Sequence, residues 1–282
     1  MQQSRFVPYL LIAPATLFLT LLFVVPLVQT LALAFSESGT PSLGNVTKMA
    51  GDLNFGLSIR NTFLLVLTVI PLQLGLALAM SMMLQKISRG RDLVLWIWSI
   101  PLGISDLAAG LVWLSILQDR GYLNSLLFAA GIIEGPTNWL SYEHPISLFV
   151  GVVLAEIWRA TAIVLVILVA GLQLIPAEYA EAAEIFGARP WTRFRKITLP
   201  LLKPSIQSAL ILRTVLAFEV FAVVYALSGR NYPVIVGEAY AWQQVNQNNG
   251  VAAAYAMLVM AISLVATLVY LRVLRVRPET QP

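Results

Sequence analysis

The chain contains no cysteine and a single histidine, His144. The first absence excludes disulfides, thiolate metal sites and cysteine nucleophiles, although it does not fix a cellular compartment. The second excludes a histidine metal cluster. His144 stands between Glu143 and Pro145, at the start of a predicted external helix, where capping or solvation suits it better than metal binding. Charge is scarce as well, at 11% of residues against 59% hydrophobic. No Gly-x-x-x-x-Gly-Lys-Ser/Thr loop, Gly-x-Ser-x-Gly elbow or His-Glu-x-x-His pair occurs, so the chain has no phosphate-cradling loop of its own and none of these hydrolytic constellations. Catalytic, cofactor-binding and metal-binding residues are therefore assigned to none. No low-complexity linker divides the sequence, and residues 1–282 read as one domain.

What the chain has in excess is apolar sequence. A mean hydropathy of +0.80 exceeds what one soluble core of this length buries, and the surplus needs lipid. Apolar stretches near the ~20 residues that cross hydrocarbon run over about 9–35, 61–85, 93–117, 146–171, 204–228 and 251–271. They are apolar nearly throughout, unlike the alternating segments of a β-barrel, which predicts an all-α integral membrane protein with six transmembrane helices. Lys and Arg near spans are retained in the cytoplasm. With the N-terminus inside, that side holds Arg5, Lys86, Arg89, Arg91, Arg189, Arg193, Arg195, Lys196, Lys203, Arg272, Arg275 and Arg277, against Lys48, Arg60, Arg120 and Arg230 outside. Both termini are thus expected to be cytoplasmic. This topology accounts for the net charge of +4, so the basic balance implies no nucleic acid. The first span is too long for a signal-peptide core and lacks a following cleavage site, and it is read as retained.

The most informative segment is cytoplasmic, about 173–203. Pro176 fits a first helical turn, with Glu178 and Glu181 close to the positive end of that helix. Ala182 and Ala183 make one surface small, and Gly187 supplies a turn that a side chain disfavours. Pro190 starts a second predicted helix, Trp191, Phe194 and Ile197 space its apolar face, and Pro200 marks its expected end. Arg189, Arg193, Arg195 and Lys196 form a cationic rim. On amphipathicity alone this is an interfacial hairpin touching anionic headgroups.

The complete spacing says more. Glu181-Ala182-Ala183, three residues, Gly187, nine residues, Ile197, one residue, then Leu199-Pro200 resembles the signature loop of the permease subunits of ATP-driven importers. The run Gly171-Leu-Gln173-Leu-Ile-Pro176-Ala-Glu178-Tyr179 narrows the resemblance to the carbohydrate-uptake permeases, the branch containing the maltose and glycerol-phosphate importers. Further similarities are Pro8-Tyr9 through Pro14, Asn61-Thr62, Pro101 with Ile104-Ser105 and Trp113, and Gly121-Tyr-Leu-Asn124. A departure follows the fifth span, where such permeases often carry Thr-Gly-Gly-Gly-Pro and this chain has Ser228-Gly229-Arg230-Asn231-Tyr232-Pro233.

The resemblance implies a six-helix permease bundle of the type I ABC importer kind in a prokaryotic cytoplasmic membrane. Its loop would dock into a separate ATPase through Glu178, Glu181, Ala182, Ala183, Gly187, Ala188, Trp191, Phe194, Ile197, Leu199 and Pro200. The implied partners are a second related permease, two ATP-binding cassette subunits, an extracytoplasmic sugar-binding protein and membrane lipid. ATP and Mg would be bound by the cassette subunits and no cofactor by this chain.

Ionisable residues within spans are costly and default to functional candidates. Here they are Asp106, Glu156, Arg159, Arg213 and Glu219. Glu156 and Arg159, three apart on one helix, are placed to pair, whereas Arg213 and Glu219 are six apart and need other partners. Leu212-Arg213-Thr214 with Ala217-Phe218 and Phe221 is similar to the fifth span of permeases for maltose, trehalose and related glucosides. Arginine suits vicinal hydroxyls as well as anions, so Arg159 and Arg213 are candidates either for the substrate pathway or for bundle ion pairing. Trp113, Trp158, Phe218 and Tyr225 offer ring faces for a pyranose or ordinary helix packing, and Glu219 completes the pathway candidates. Two alternatives accompany the sugar importer: the same importer class for glycerol-phosphate or another small solute, and an ion-coupled secondary transporter using Asp106, Glu156 and Glu219. The second leaves the docking motif unexplained.

Overall fold

The computed structural model describes residues 7–274, with side chains from Tyr9 onward. Arg5, Arg275 and Arg277, on which the placement of both termini partly rests, lie outside the described residues. Helices account for most of the described chain: α1 (Tyr9–Ala34), α2 (Gly44–Ala50), α3 (Phe55–Lys86), α4 (Arg91–Ser99), α5 (Asp106–Leu117), α6 (Tyr122–Ala129), α7 (Pro145–Gln173), α8 (Ala177–Ile185), α9 (Pro190–Phe218), α10 (Ala222–Ser228), α11 (Ile235–Gln244) and α12 (Asn249–Val273). A two-stranded hairpin pairs Ser36 with Pro41 and Glu37 with Thr40. Five helices, α1, α3, α7, α9 and α12, are long and apolar enough to cross a membrane, and a bent pair makes a sixth if its two arms form one span.

Two of the predicted spans are not single helices. The third, expected over 93–117, bends by 97° between Arg91–Gly103 and Asp106–Ala129. Pro101 helps to close the first half in a 3-10 turn, and the Ser105 hydroxyl caps α5 by accepting from the Ala108 N–H. The fifth, expected over 204–228, breaks after Phe218 and restarts at Ala222. Conversely, the second loop helix does not stop at Pro200, because α9 runs on to Phe218. A π-helical turn at Phe194–Thr198 precedes that proline, with the Leu199 N–H bonded to the Phe194 carbonyl. The same device precedes Pro26 in α1, where the Val25 N–H bonds to the Thr20 carbonyl. Widening the helix there moves the carbonyl that the proline ring would otherwise strike.

The chain divides into two compact units. In the unit formed by residues 7–55 and 238–260, α1 exposes its side chains from Tyr9 to Gln29. The Asn45 amide donates to the carbonyls of Leu33 and Ser36 at 3.0 and 2.8 Å. The Trp242 indole donates to Asp52, and Phe55 packs on Tyr255 with ring centroids 6.1 Å apart.

The unit formed by residues 56–237 and 261–274 contains two apolar clusters stacked along its long helices. One joins Leu65, Val152, Val223 and Val224 with their neighbours on α3, α7 and α10. The other joins Leu84, Leu165, Leu168 and Leu202 on α3, α7 and α9. Gly110 lets α5 approach α10, since a Cβ there would stand 2.6 Å from the Ala226 Cβ and 3.1 Å from the Val223 backbone. The Asn61-Thr62 pair pins the turn after α10. Asn61 donates to the Pro233 carbonyl at 3.0 Å, and the Ile235 N–H donates to the Thr62 hydroxyl at 3.1 Å.

Tyr232 in that turn is 8% exposed and packs against Phe149. Burial pushes its phenol up to about 12, against the opposing pull of the nearby Arg60 charge. Because the folded state holds this proton more tightly than the unfolded chain, the turn keeps its stability below pH 10 and loses it as pH rises towards 12. A difference titration at the phenolate absorbance, wild type against Tyr232→Phe, should isolate one group ionising near pH 12. A midpoint at 10 would mean the turn is solvated.

Candidate functional site

Two structures stand out in the second unit, a helical hairpin and a polar belt between the apolar clusters. In the hairpin, Pro176 occupies the N-cap of α8 with Glu178 in the first turn. Its C-terminus closes with paired bonds, Ala188 N–H to the Ala183 carbonyl and Gly187 N–H to the Glu184 carbonyl, both 2.9 Å. This Schellman closure requires a left-handed residue, and Gly187 supplies it with φ of +72°. The chain then turns into α9, whose first turn begins at Pro190.

The result is an apolar tip exposed to solvent: Ile185 is 84%, Phe186 89% and Trp191 68% exposed. Ile185 and Phe186 were not singled out from sequence, although they fill the gap between Ala183 and Gly187. Trp191 stacks on half-buried Phe194 at 5.5 Å. Glu178, Glu181, Ala182, Gly187 and Pro200 are exposed, and Ala188, Ile197 and Leu199 are half-buried. Ala183 differs from its expected place on a partner-facing surface. It is 7% exposed, covered by the chain itself. Arg193 pairs with Glu184 across the two helices, while no ion-pair partner meets Glu181 among the described residues.

The polar belt ties four helices together. Arg213 on α9 donates to Glu156 Oε2 on α7 and to Gln73 Oε1 on α3, both at 2.6 Å. Gln73 in turn donates to the Glu156 backbone carbonyl at 2.8 Å. Arg159 bonds Asp106 Oδ1 on α5 at 2.7 Å and reaches Glu156 Oε1 only at 3.6 Å. The expected Glu156–Arg159 pair is therefore the looser contact, and each residue has a closer partner on another helix. Arg213 and Glu156 are both 2% exposed. Two arginines and two carboxylates balance; Glu156 and Arg213 lie between the apolar layers, while the Asp106 side chain is 49% exposed. Gln73, fully buried, escaped the sequence reading because it carries no charge. A carboxamide in the middle of an apolar span was the available signal.

The remaining pathway candidates separate into two sets. Trp113 and Trp158 meet edge to face at 6.4 Å beside the belt. Glu219 is exposed at the break between α9 and α10, and Tyr225, 44% exposed, stacks on Phe221 at 5.3 Å. Phe218 is buried against Phe63 instead. Glu219 forms no ion pair with Arg213 among the described residues, in keeping with their six-residue separation.

A solved bacterial ABC transporter involved in importing the acidic polysaccharide alginate contains a chain with the same fold. The TM-score is 0.84 at 20% identity, covering 96% of this chain and 95% of that one. The trehalose/maltose transport system permease protein MalF of Thermococcus litoralis is 32% identical over 96% of this chain and 94% of its own length. The sulfoquinovosyl glycerol transport system permease protein SmoG of Agrobacterium fabrum is 33% identical over 97% and 92%. The family model matches residues 73–275, from the buried glutamine of the belt through the hairpin to the last helix, and the chain belongs to the binding-protein-dependent transport system inner membrane components.

Proposed function

We propose that this transport component, which is not itself an enzyme, forms one half of the transmembrane pathway of an ATP-driven sugar or oligosaccharide importer. The observation that carries the reading is the hairpin: the full spaced motif folds into an exposed apolar tip beside a carboxylate, Glu181, that has no partner within the described chain. Two ATP-binding cassette subunits, holding ATP and Mg, receive this tip. A second related permease completes the pathway, and an extracytoplasmic sugar-binding protein delivers the substrate. Six spans with cytoplasmic termini place the hairpin inside the cell. Closure of the ATPase pair moves the hairpin, and α9, continuous from Pro190 to Phe218, carries that motion to the belt and the helix break. Alternating access follows without any covalent step.

The belt supports a neutral glucoside of the maltose or trehalose kind over glycerol-phosphate. Arg159 and Arg213 are already neutralised by Asp106 and Glu156, so neither presents free positive charge to an anion. The same pairing occupies two of the three carboxylates that an ion-coupled transporter would need. Trp113, Trp158, Glu219 and Tyr225 are left to meet a sugar through ring faces and hydroxyl bonds. In a competitive uptake panel using radiolabelled trehalose, unlabelled maltose should displace uptake and glycerol-phosphate should not. Displacement by glycerol-phosphate alone would transfer the assignment to the phosphate ester.

A further inference from the structure

Behind the docking hairpin lies a cavity of about 490 Å³, bounded by the ends of α3 and α7 and by the starts of α4, α8 and α9. We propose that it binds the phosphodiester headgroup of an anionic phospholipid of the cytoplasmic leaflet. Lys86, Arg91 and Arg193 line it, no Asp or Glu does, and the intervening wall includes apolar Leu172 and Phe194. Arg193 is engaged by Glu184. Lys86 and Arg91 have no ion-pair partner among the described residues, so two uncompensated cations face a partly apolar recess, the setting that favours a phosphate group.

The second observation is α4, which leaves the cavity from Arg91. Its Leu93, Trp96 and Ile97 are 60%, 67% and 49% exposed, while Val94, Leu95 and Trp98 pack against the apolar cluster of α3, α7 and α9. The exposed apolar side of α4, with a cation at its start, is open to acyl chains. A soluble anion would explain the cations but not this apolar face, and neither would a carboxylate from the ATPase. A phospholipid explains both, its headgroup in the cavity and its acyl chains along α4. The inference rests on the cytoplasmic placement of the hairpin and not on the substrate. Headgroup binding would hold α3 and α4 to the docking hairpin, making coupling responsive to the lipid around it.

The test is native mass spectrometry of the full chain in detergent with equimolar phosphatidylglycerol and phosphatidylcholine. Phosphatidylglycerol adducts should dominate, and Lys86→Gln with Arg91→Gln should weaken their retention by roughly 30-fold, taking the usual contribution of each cation near an anionic surface. Lys86→Arg with Arg91→Lys should retain them, as should Arg230→Gln on the external turn. Equal retention of the two lipids would overturn the proposal, as would a double variant that keeps its adducts. Displacement by millimolar inorganic phosphate would overturn the lipid as the source. If the Gln variant does not extract as a single species, the wild-type preference between the two lipids decides alone. No ATPase or sugar is present, so failure here leaves the transport reading standing.

Discussion

Arg213→Met should destabilise the bundle by about 3–5 kcal/mol, the cost of leaving a buried charge without its partner. Glu156 is enclosed by apolar layers and accepts its shortest side-chain bond from Arg213 at 2.6 Å. With that arginine gone, Arg159 at 3.6 Å is the remaining cation, and it is already committed to Asp106. Gln73 would also lose the donor to its Oε1. Replacing both charges, as in Glu156→Leu with Arg213→Met, should recover most of the loss, because the desolvation cost of the pair disappears with it. Thermal unfolding of the four combinations in lipid nanodiscs would give the coupling directly. An Arg213→Met variant as stable as wild type would show that the pair contributes nothing to the bundle. Transport by the double variant is the companion measurement: a stable bundle without uptake means the belt serves movement and not only assembly.

Glu181→Lys should abolish most uptake while leaving the chain folded. Glu181 is exposed and unpaired within the described chain, so its replacement should change stability by no more than about 0.5 kcal/mol. In the proposed assembly it would face a desolvated groove of the ATPase, where loss of one member of a charge pair costs about 2–5 kcal/mol. Reversing the sign adds repulsion, and Glu181→Gln should fall between the two. The check is uptake in cells alongside co-purification of the ATPase and its hydrolysis rate. Normal uptake with normal assembly would remove Glu181 from the docking surface.

The hairpin was legible because its signals are local. Proline at a helix start, glycine at a left-handed closure and acidic residues in a first turn each act within a few residues, and they set α8 and Gly187 where the structure has them. Pro200 misled for a related reason: proline commonly ends a helix, and nothing local announces the π-helical turn that lets α9 continue. The belt was legible only as a set of charges. Arg213 and Glu156 are 57 residues apart and belong to different helices, so pairing them required the packing of α7 against α9. The near contact of Glu156 with Arg159 was readable from helix spacing, and the closer partners were not. The break at Glu219–Phe221 contains neither glycine nor proline. It is imposed by tertiary packing, with α10 turned against α5 at Gly110.

The central claim is that this permease works with an ATPase to import a sugar. The most direct measurement is to recover the assembly from its native membrane through this chain, reconstitute it in liposomes with the co-recovered binding protein, and follow ATP hydrolysis as candidate sugars are added. The account predicts that an ATPase and a second permease co-purify and that maltose or trehalose stimulates hydrolysis. Recovery without an ATPase, with uptake driven by an ion gradient, would contradict it.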